Sequence, residues 1–121
     1  MKSYAIIGAN FGDEGKGLTT DYLAAKYDSD ALIVRFNGGA QAAHTVQTPS
    51  GERHVFKHMG SGSLVESSTY LSEFFICNPM LFCSEYMQLT NLNLQPKIFV
   101  NPNTSVTTPF DMMINQIIYK L

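Results

Sequence analysis

Apolar residues in this chain come in short dense runs separated by glycine-, proline- and polar-rich stretches, and the spacing of those runs predicts the elements. "YAIIGA" (residues 4–9) and "ALIVRF" (31–36) are continuous apolar runs of strand length, as expected of strands buried on both faces. Between them, "GKGLTTDYLAAKY" (15–27) places Leu18, Tyr22, Leu23 and Ala25 or Lys26 at near-helical spacing, and "DSD" makes a turn into the second strand. Strand, glycine loop, helix and strand predict a βαβ unit with a parallel sheet. Further on, "HTVQT" and "RHVFKH" flank "PSGE", a turn sequence between two short strands, and predict a β-hairpin. "GSGS" (60–63) reads as a flexible corner, "TYLSEFFIC" (69–77) as a strand and "KIFV" (97–100) as a last short strand. Asn78-Pro79 and Thr108-Pro109 each pair an N-capping residue with a first-turn proline, predicting helices from 79 to about Leu92 and from 109 to the end. The last predicted helix has no C-cap, so more chain is expected to follow.

Composition narrows the class without changing this outline. The 121 residues are 45% hydrophobic and 15% charged, an ordinary globular balance for one modest domain or a piece of a larger one. A net charge of −2 with no basic block argues against nucleic acid as a partner. The apolar runs are too short to span a bilayer, so no membrane partner is expected. The N-terminal "MKSYAIIGAN" goes straight into glycines and reads as a strand, not a signal peptide. Cys77 and Cys83 show no metal spacing and are expected to be buried free thiols. These features together point to a cytoplasmic protein.

Two loops carry candidate chemistry. In "GANFGDEGKG", glycines feed a helix N-terminus, where free N–H groups and the helix dipole favour an anion, and Lys16 adds a positive charge. The spacing is not that of a Walker loop, because only two residues separate Gly12 from Gly15 and Gly17 replaces the hydroxyl. Phosphate binding and a purely structural glycine turn both remain open on spacing alone. In "NGGAQAAHTV", His44 lies just past a Gly-Gly turn after the second strand, at the sheet edge where ligands of open parallel sheets collect. Asp13 suits a general base or a magnesium ligand, and His44 suits a general acid or a stabiliser of phosphoryl charge. Glu14 is a second acid in the first loop, with capping of the following helix as its plainer role. Five other polar residues read as structural. His54 and His58 are expected to be partly exposed sheet residues, Arg35 to meet a carboxylate or a ligand, and Asp21 and Glu85 to be solvated or salt-bridged.

Taken together, the two loops resemble the adenylosuccinate synthetase family. "GANFGDEGKG" is similar to its "GxQWGDEGKGK", and "VRFNGGAQAAHTV" to its "VRxxGGxNAGHTV". "HVFKHMGSGSL" and "ICNPMLFCSEYMQL" extend the likeness more loosely. The resemblance implies an α/β, P-loop-like, mostly parallel sheet with flanking helices and a β-hairpin insertion, incomplete relative to the family. Residues 1–121 would be the N-terminal portion of a purine-nucleotide synthetase domain. It implies a ligase that joins L-aspartate to the 6-oxo position of a purine monophosphate, IMP, after GTP (or ATP or dATP) phosphorylates that oxygen. Asp13 would remove the purine N1 proton and help hold Mg2+. His44 would assist phosphoryl transfer. Gly12, Glu14, Gly15, Lys16 and Gly17 would hold phosphates, and Thr45 would lie beside the nucleotide. Gln41 stands where the family has a nucleotide-binding Asn, and Ala43 where it has a Gly whose carbonyl reaches magnesium. The family is typically a homodimer.

Those two departures, with Phe11 in place of Trp, resemble short viral relatives that use dGMP for diaminopurine DNA, so IMP and dGMP both stand as acceptors. The threonine- and glycine-rich nucleotide loop, the aspartate loop and the guanine-recognition segment of the family are not in this sequence. The 121-residue chain alone is therefore expected to be inactive. A non-catalytic nucleotide-binding or interaction protein that keeps the loops is the competing class.

Overall fold

The computed structural model describes residues 2–27 and 30–119. Its elements are helix α1 (Lys16–Ala24), strands β1 (Leu32–Gly39), β2 (His44–Gln47) and β3 (Arg53–Phe56), a 3-10 helix (Ser61–Val65) and β4 (Ser68–Cys77). Helix α2 (Pro79–Asn91), β5 (Ile98–Val100), β6 (Ser105–Val106) and helix α3 (Pro109–Ile118) follow. Most of the predicted "DSD" turn and the last two residues of the third predicted helix lie outside the described residues.

The expected parallel sheet is present. β4 is its centre, pairing in parallel with β1 on one side and with β5 and then β6 on the other. The β1–β4 register slips between Arg35 and Asn37, where the Ser72 hydroxyl donates to the Phe36 carbonyl. The strand predicted at residues 4–9 is not formed. Residues 2–8 have no ladder partner among the described residues, and Ile7 is exposed. A strand exists only when its N–H and C=O groups are paired, and apolar composition alone does not supply a partner. The βαβ unit is instead built by β4, α2 and β5. β6 was not expected, because two residues leave no periodic signal.

Both cap-then-proline signals work as read. Asn78 Oδ1 accepts the Leu81 N–H at 3.1 Å, and Thr108 and Asp111 form a reciprocal capping box at the start of α3. The hairpin also forms as expected, with His44 opposite Phe56 and Gln47 opposite Arg53. Its inner face packs on α2, so that Val46, Phe56, Met59 and Leu89 are fully buried together.

"GSGS" is a packing joint and not a flexible corner. A Cβ on Gly60 would fall 2.5 Å from Ile33 Cβ, and one on Gly62 would fall 2.5 Å from Ala24 Cβ. The glycines therefore let β1 and α1 press directly on this backbone. The other face of the sheet is bare. Leu32, Val34 and Phe36 alternate to one face and stay exposed, as do Phe74 and Ile76 of β4.

His54 and His58, expected to be partly exposed, are buried, because α2 brings Glu85 beneath them. The Glu85 carboxylate accepts the backbone N–H groups of Lys57 at 2.9 Å, His58 at 2.8 Å and Met59 at 3.2 Å. His58 Nε2 accepts the Asn78 N–H at 3.0 Å. Its proton must then be on Nδ1, which faces Glu85 Oε2 at 3.3 Å. His54 Nε2 lies 3.9 Å from Glu85 Oε1. Burial pushes the Glu85 carboxyl up, but the two histidines beside it and the backbone N–H groups of His58 and Lys57 bring it to about 2. The thiols also differ from expectation: Cys77 is half-buried and Cys83 is exposed on α2.

Candidate functional site

The first loop enters α1 through a chain of left-handed residues. Gly12 has φ 116° and Gly15 has φ 76°, values that L side chains rarely adopt. Asp13, between them, has φ 55°. A non-glycine residue held there costs about 1 kcal/mol and is characteristic of functional loops, with aspartate among the residues that tolerate it best. The Asp13 side chain is exposed.

Glu14 does not cap the helix, since Gly15 at the N-cap receives no side-chain bond. Its carboxylate turns back into the loop. Oε1 accepts the N–H of Asn10 at 3.2 Å and of Gly12 at 3.1 Å, and Oε2 accepts from Lys16 Nζ at 2.5 Å. The Lys16 ammonium, the Gly12 N–H and Glu14's own N–H hold this carboxyl at about 2.

The second loop ends at β2, and His44 is the first residue of that strand. The hairpin carries it onto the first turn of α1, where a Cβ at Gly17 would fall 2.6 Å from His44 Cβ and 3.2 Å from Ser61 Oγ. The two loops therefore meet at Gly17. Burial lowers the His44 pKa below its ordinary 6.5, helped by the charges of Arg35 and Lys16. The ring is uncharged at neutral pH.

Lys16, Gly17, Ala42 and His44 line one end of a cleft of about 1050 Å³ that runs between residues 2–6, α1 and the open edge of β1. Its volume suits a nucleotide-sized ligand. Arg35 lines it too. This residue is buried, donates to the Lys57 carbonyl at 3.0 Å and stacks over Phe75 at 5.3 Å. Its guanidinium pKa is lowered by burial and partly restored by the nearby Glu85 charge. The sequence signal for Arg35 was an arginine inside an apolar strand. Ser61 had no signal, because only folding sets it against Gly17.

Asp13, Gln41, Ala43 and Thr45 do not line the cleft. All four are exposed, and the Gln41 amide oxygen turns back against Gly39. Ala43 is not among the positive-φ residues, so its carbonyl can be offered as a glycine's would be. Among the described residues no three His, Cys, Asp or Glu side chains gather into a metal site. A magnesium ion here would draw on one carboxylate, a carbonyl and ligand phosphates, a set of oxygen donors that suits it.

The adenylosuccinate synthetase family profile matches residues 5–120. Curated relatives named adenylosuccinate synthetase include one from Thermoplasma acidophilum, 39% identical over 114 residues, covering 94% of this chain and 25% of the relative. One from Borrelia turicatae is 31% identical over 117 residues, covering 97% and 26%. The solved structure of fully ligated adenylosuccinate synthetase from Plasmodium falciparum superposes with a TM-score of 0.79 at 23% identity, over 93% of this chain and 26% of that one. Cyanophage S-2L succinoaminodeoxyadenylate synthetase, bound to dGMP and dATP, does so with a TM-score of 0.72 at 23% identity, over 88% and 30%. The chain thus spans about a quarter of the length of the curated relatives it matches. With the profile matching nearly its whole length and both loops in place, the chain belongs to the adenylosuccinate synthetase family.

Proposed function

We propose that this chain supplies the phosphate-gripping and proton-handling half of a purine-nucleotide ligase site. The observation that carries this reading is the meeting of the Lys16–Gly17 turn with His44 at the end of a nucleotide-sized cleft. The reaction is ligation of L-aspartate to C6 of a purine monophosphate: the 6-oxygen takes the γ-phosphoryl group of a nucleoside triphosphate, releasing the diphosphate, and the aspartate amine then displaces inorganic phosphate from C6. IMP is the acceptor and GTP the donor in the first reading. dGMP with ATP or dATP is the second, favoured by the departures at Gln41 and Ala43.

In this mechanism Asp13 takes the purine N1 proton, which leaves negative charge on the 6-oxygen and makes it the better nucleophile. Lys16 and the N–H groups of Gly12, Gly15 and Gly17 bind phosphate oxygens in the loop that also holds Glu14. Uncharged His44 donates a ring N–H hydrogen bond to the transferring phosphoryl group and stabilises its charge. Gln41 and Thr45 contact the nucleotide. Asp13 and the Ala43 carbonyl would hold Mg2+, which when bound offsets repulsion between carboxylate and phosphates. The protein works as a homodimer on these small molecules, with no nucleic-acid or membrane partner. Among the described residues no helix is long and apolar enough to cross a membrane.

Calorimetric titration with IMP, dGMP and GTP in magnesium tests the reading. Binding of at least one of them, at about millimolar Kd or tighter and abolished in Lys16→Ala, is expected. No heat from any of the three would remove it.

A further inference from the structure

Glu14 stands in the way of the ligand that its loop is shaped to receive. Its carboxylate collects the Asn10 and Gly12 N–H groups, at 3.2 and 3.1 Å, and the Lys16 ammonium. Backbone N–H groups two residues apart that converge with an ammonium are what an anion-binding loop offers a phosphate. Gly8 closes the remaining side, because a Cβ there would fall 2.6 Å from Glu14 Oε1. Lys16 meanwhile lines the cleft that ends at His44 while its ammonium is engaged by Glu14. We propose that Glu14 is an internal anion that fills the phosphate cradle of the empty loop, so that a nucleotide phosphate enters only by displacing it. The inference rests on the phosphate-binding reading above.

The consequence is selectivity. A tethered carboxylate competes at an effective concentration on the order of millimolar or higher. Weakly held monoanions, including the carboxylates of a free amino acid, cannot displace it. A phosphate dianion or a polyphosphate, with more charge and more acceptor oxygens, can. Its apparent affinity is reduced by the fraction of loops in which Glu14 has left the cradle. When Glu14 leaves, Lys16 is released with it, so one movement opens the cradle and frees the cation.

The test is titration of the chain with inorganic pyrophosphate, read by calorimetry and by NMR of the Gly12 amide and the Glu14 carboxyl carbon. Wild type is compared with Glu14→Gln, Glu14→Ala and Lys16→Ala. Glu14→Gln keeps the side-chain shape and one acceptor, so it serves if the alanine variant unfolds, and the wild-type carboxyl signal needs no variant. Tightening by about tenfold or more in the Glu14 variants, equivalent to about 1.4 kcal/mol, is expected. So is movement of the wild-type Glu14 carboxyl resonance on saturation. Lys16-dependent binding that is unchanged or weaker in Glu14→Gln, with the wild-type carboxyl signal unmoved, would overturn the proposal and leave the phosphate-binding reading standing. No pyrophosphate binding by wild type or by any variant would overturn both.

Discussion

Replacing Glu85 by alanine should cost this chain a large share of its stability, although Glu85 touches nothing in the cleft. The carboxylate is buried and is the acceptor for three consecutive backbone N–H groups, those of Lys57, His58 and Met59. It also faces His58 Nδ1 at 3.3 Å. Buried donors left unpaired cost about 1–3 kcal/mol each, with partial relief where water can enter. Breaking a buried charged cluster by deleting one partner costs about 3–5 kcal/mol. The same contacts lower the Glu85 carboxyl from 4.5 to about 2, which corresponds to about 3 kcal/mol of stability at neutral pH.

The expected loss is then roughly 3–5 kcal/mol, against a typical domain stability of about 5–15 kcal/mol. Urea unfolding followed by circular dichroism measures it. With a slope of about 2 kcal/mol per molar, the midpoint should fall by about 1.5–2.5 M in Glu85→Ala, and by less in Glu85→Gln, which keeps an acceptor. The sign with pH follows from the lowered carboxyl. Its contribution is present above about 4.5 and is lost as pH falls through about 2. Wild type should therefore lose its advantage over Glu85→Gln across that window. A midpoint shift below about 0.3 M, equivalent to about 0.6 kcal/mol, would refute the account of Glu85 as the tie between the hairpin and α2.

Two other outcomes follow from the site. His44 should titrate below 6.5 by ring-carbon NMR, and it should move upward when Lys16→Ala removes one of the nearby positive charges. Because the folded form holds that proton less well than the unfolded chain, stability should decline as pH falls from 6.5 toward the folded value, and His44→Gln should flatten the decline. An His44 that titrates at or above 6.5 would contradict its packing on Gly17. Gly17→Ala should destabilise the chain by about 1–3 kcal/mol, since its Cβ has no space beside His44, and should weaken pyrophosphate binding with it. Unchanged thermal unfolding would show that the hairpin does not rest on α1 there.

The sequence alone carried the elements whose signals are local. Asn78-Pro79 and Thr108-Pro109 place capped helices because capping side chain, proline ring and backbone lie within a few residues of one another. "PSGE" and the alternation around it set the hairpin for the same reason, and the two glycine loops identified the family from contiguous residues. What sequence could not carry was partnership between distant residues. Residues 4–9 have strand composition, but a strand needs an edge to pair with, and no ladder forms there. His54 and His58 alternate like surface residues of a hairpin. Only the approach of α2 covers them, and its Glu85, 27 residues beyond His58, supplies the acceptor that His58 Nδ1 meets. "GSGS" looks flexible until Ile33 and Ala24 are set against it, when its glycines become the only residues that fit. The acidic pair of the first loop divides along the same line. Asp13 could be singled out from its motif, whereas the place of Glu14, inside the loop and against Lys16, depends on a backbone turn that only the folded chain fixes.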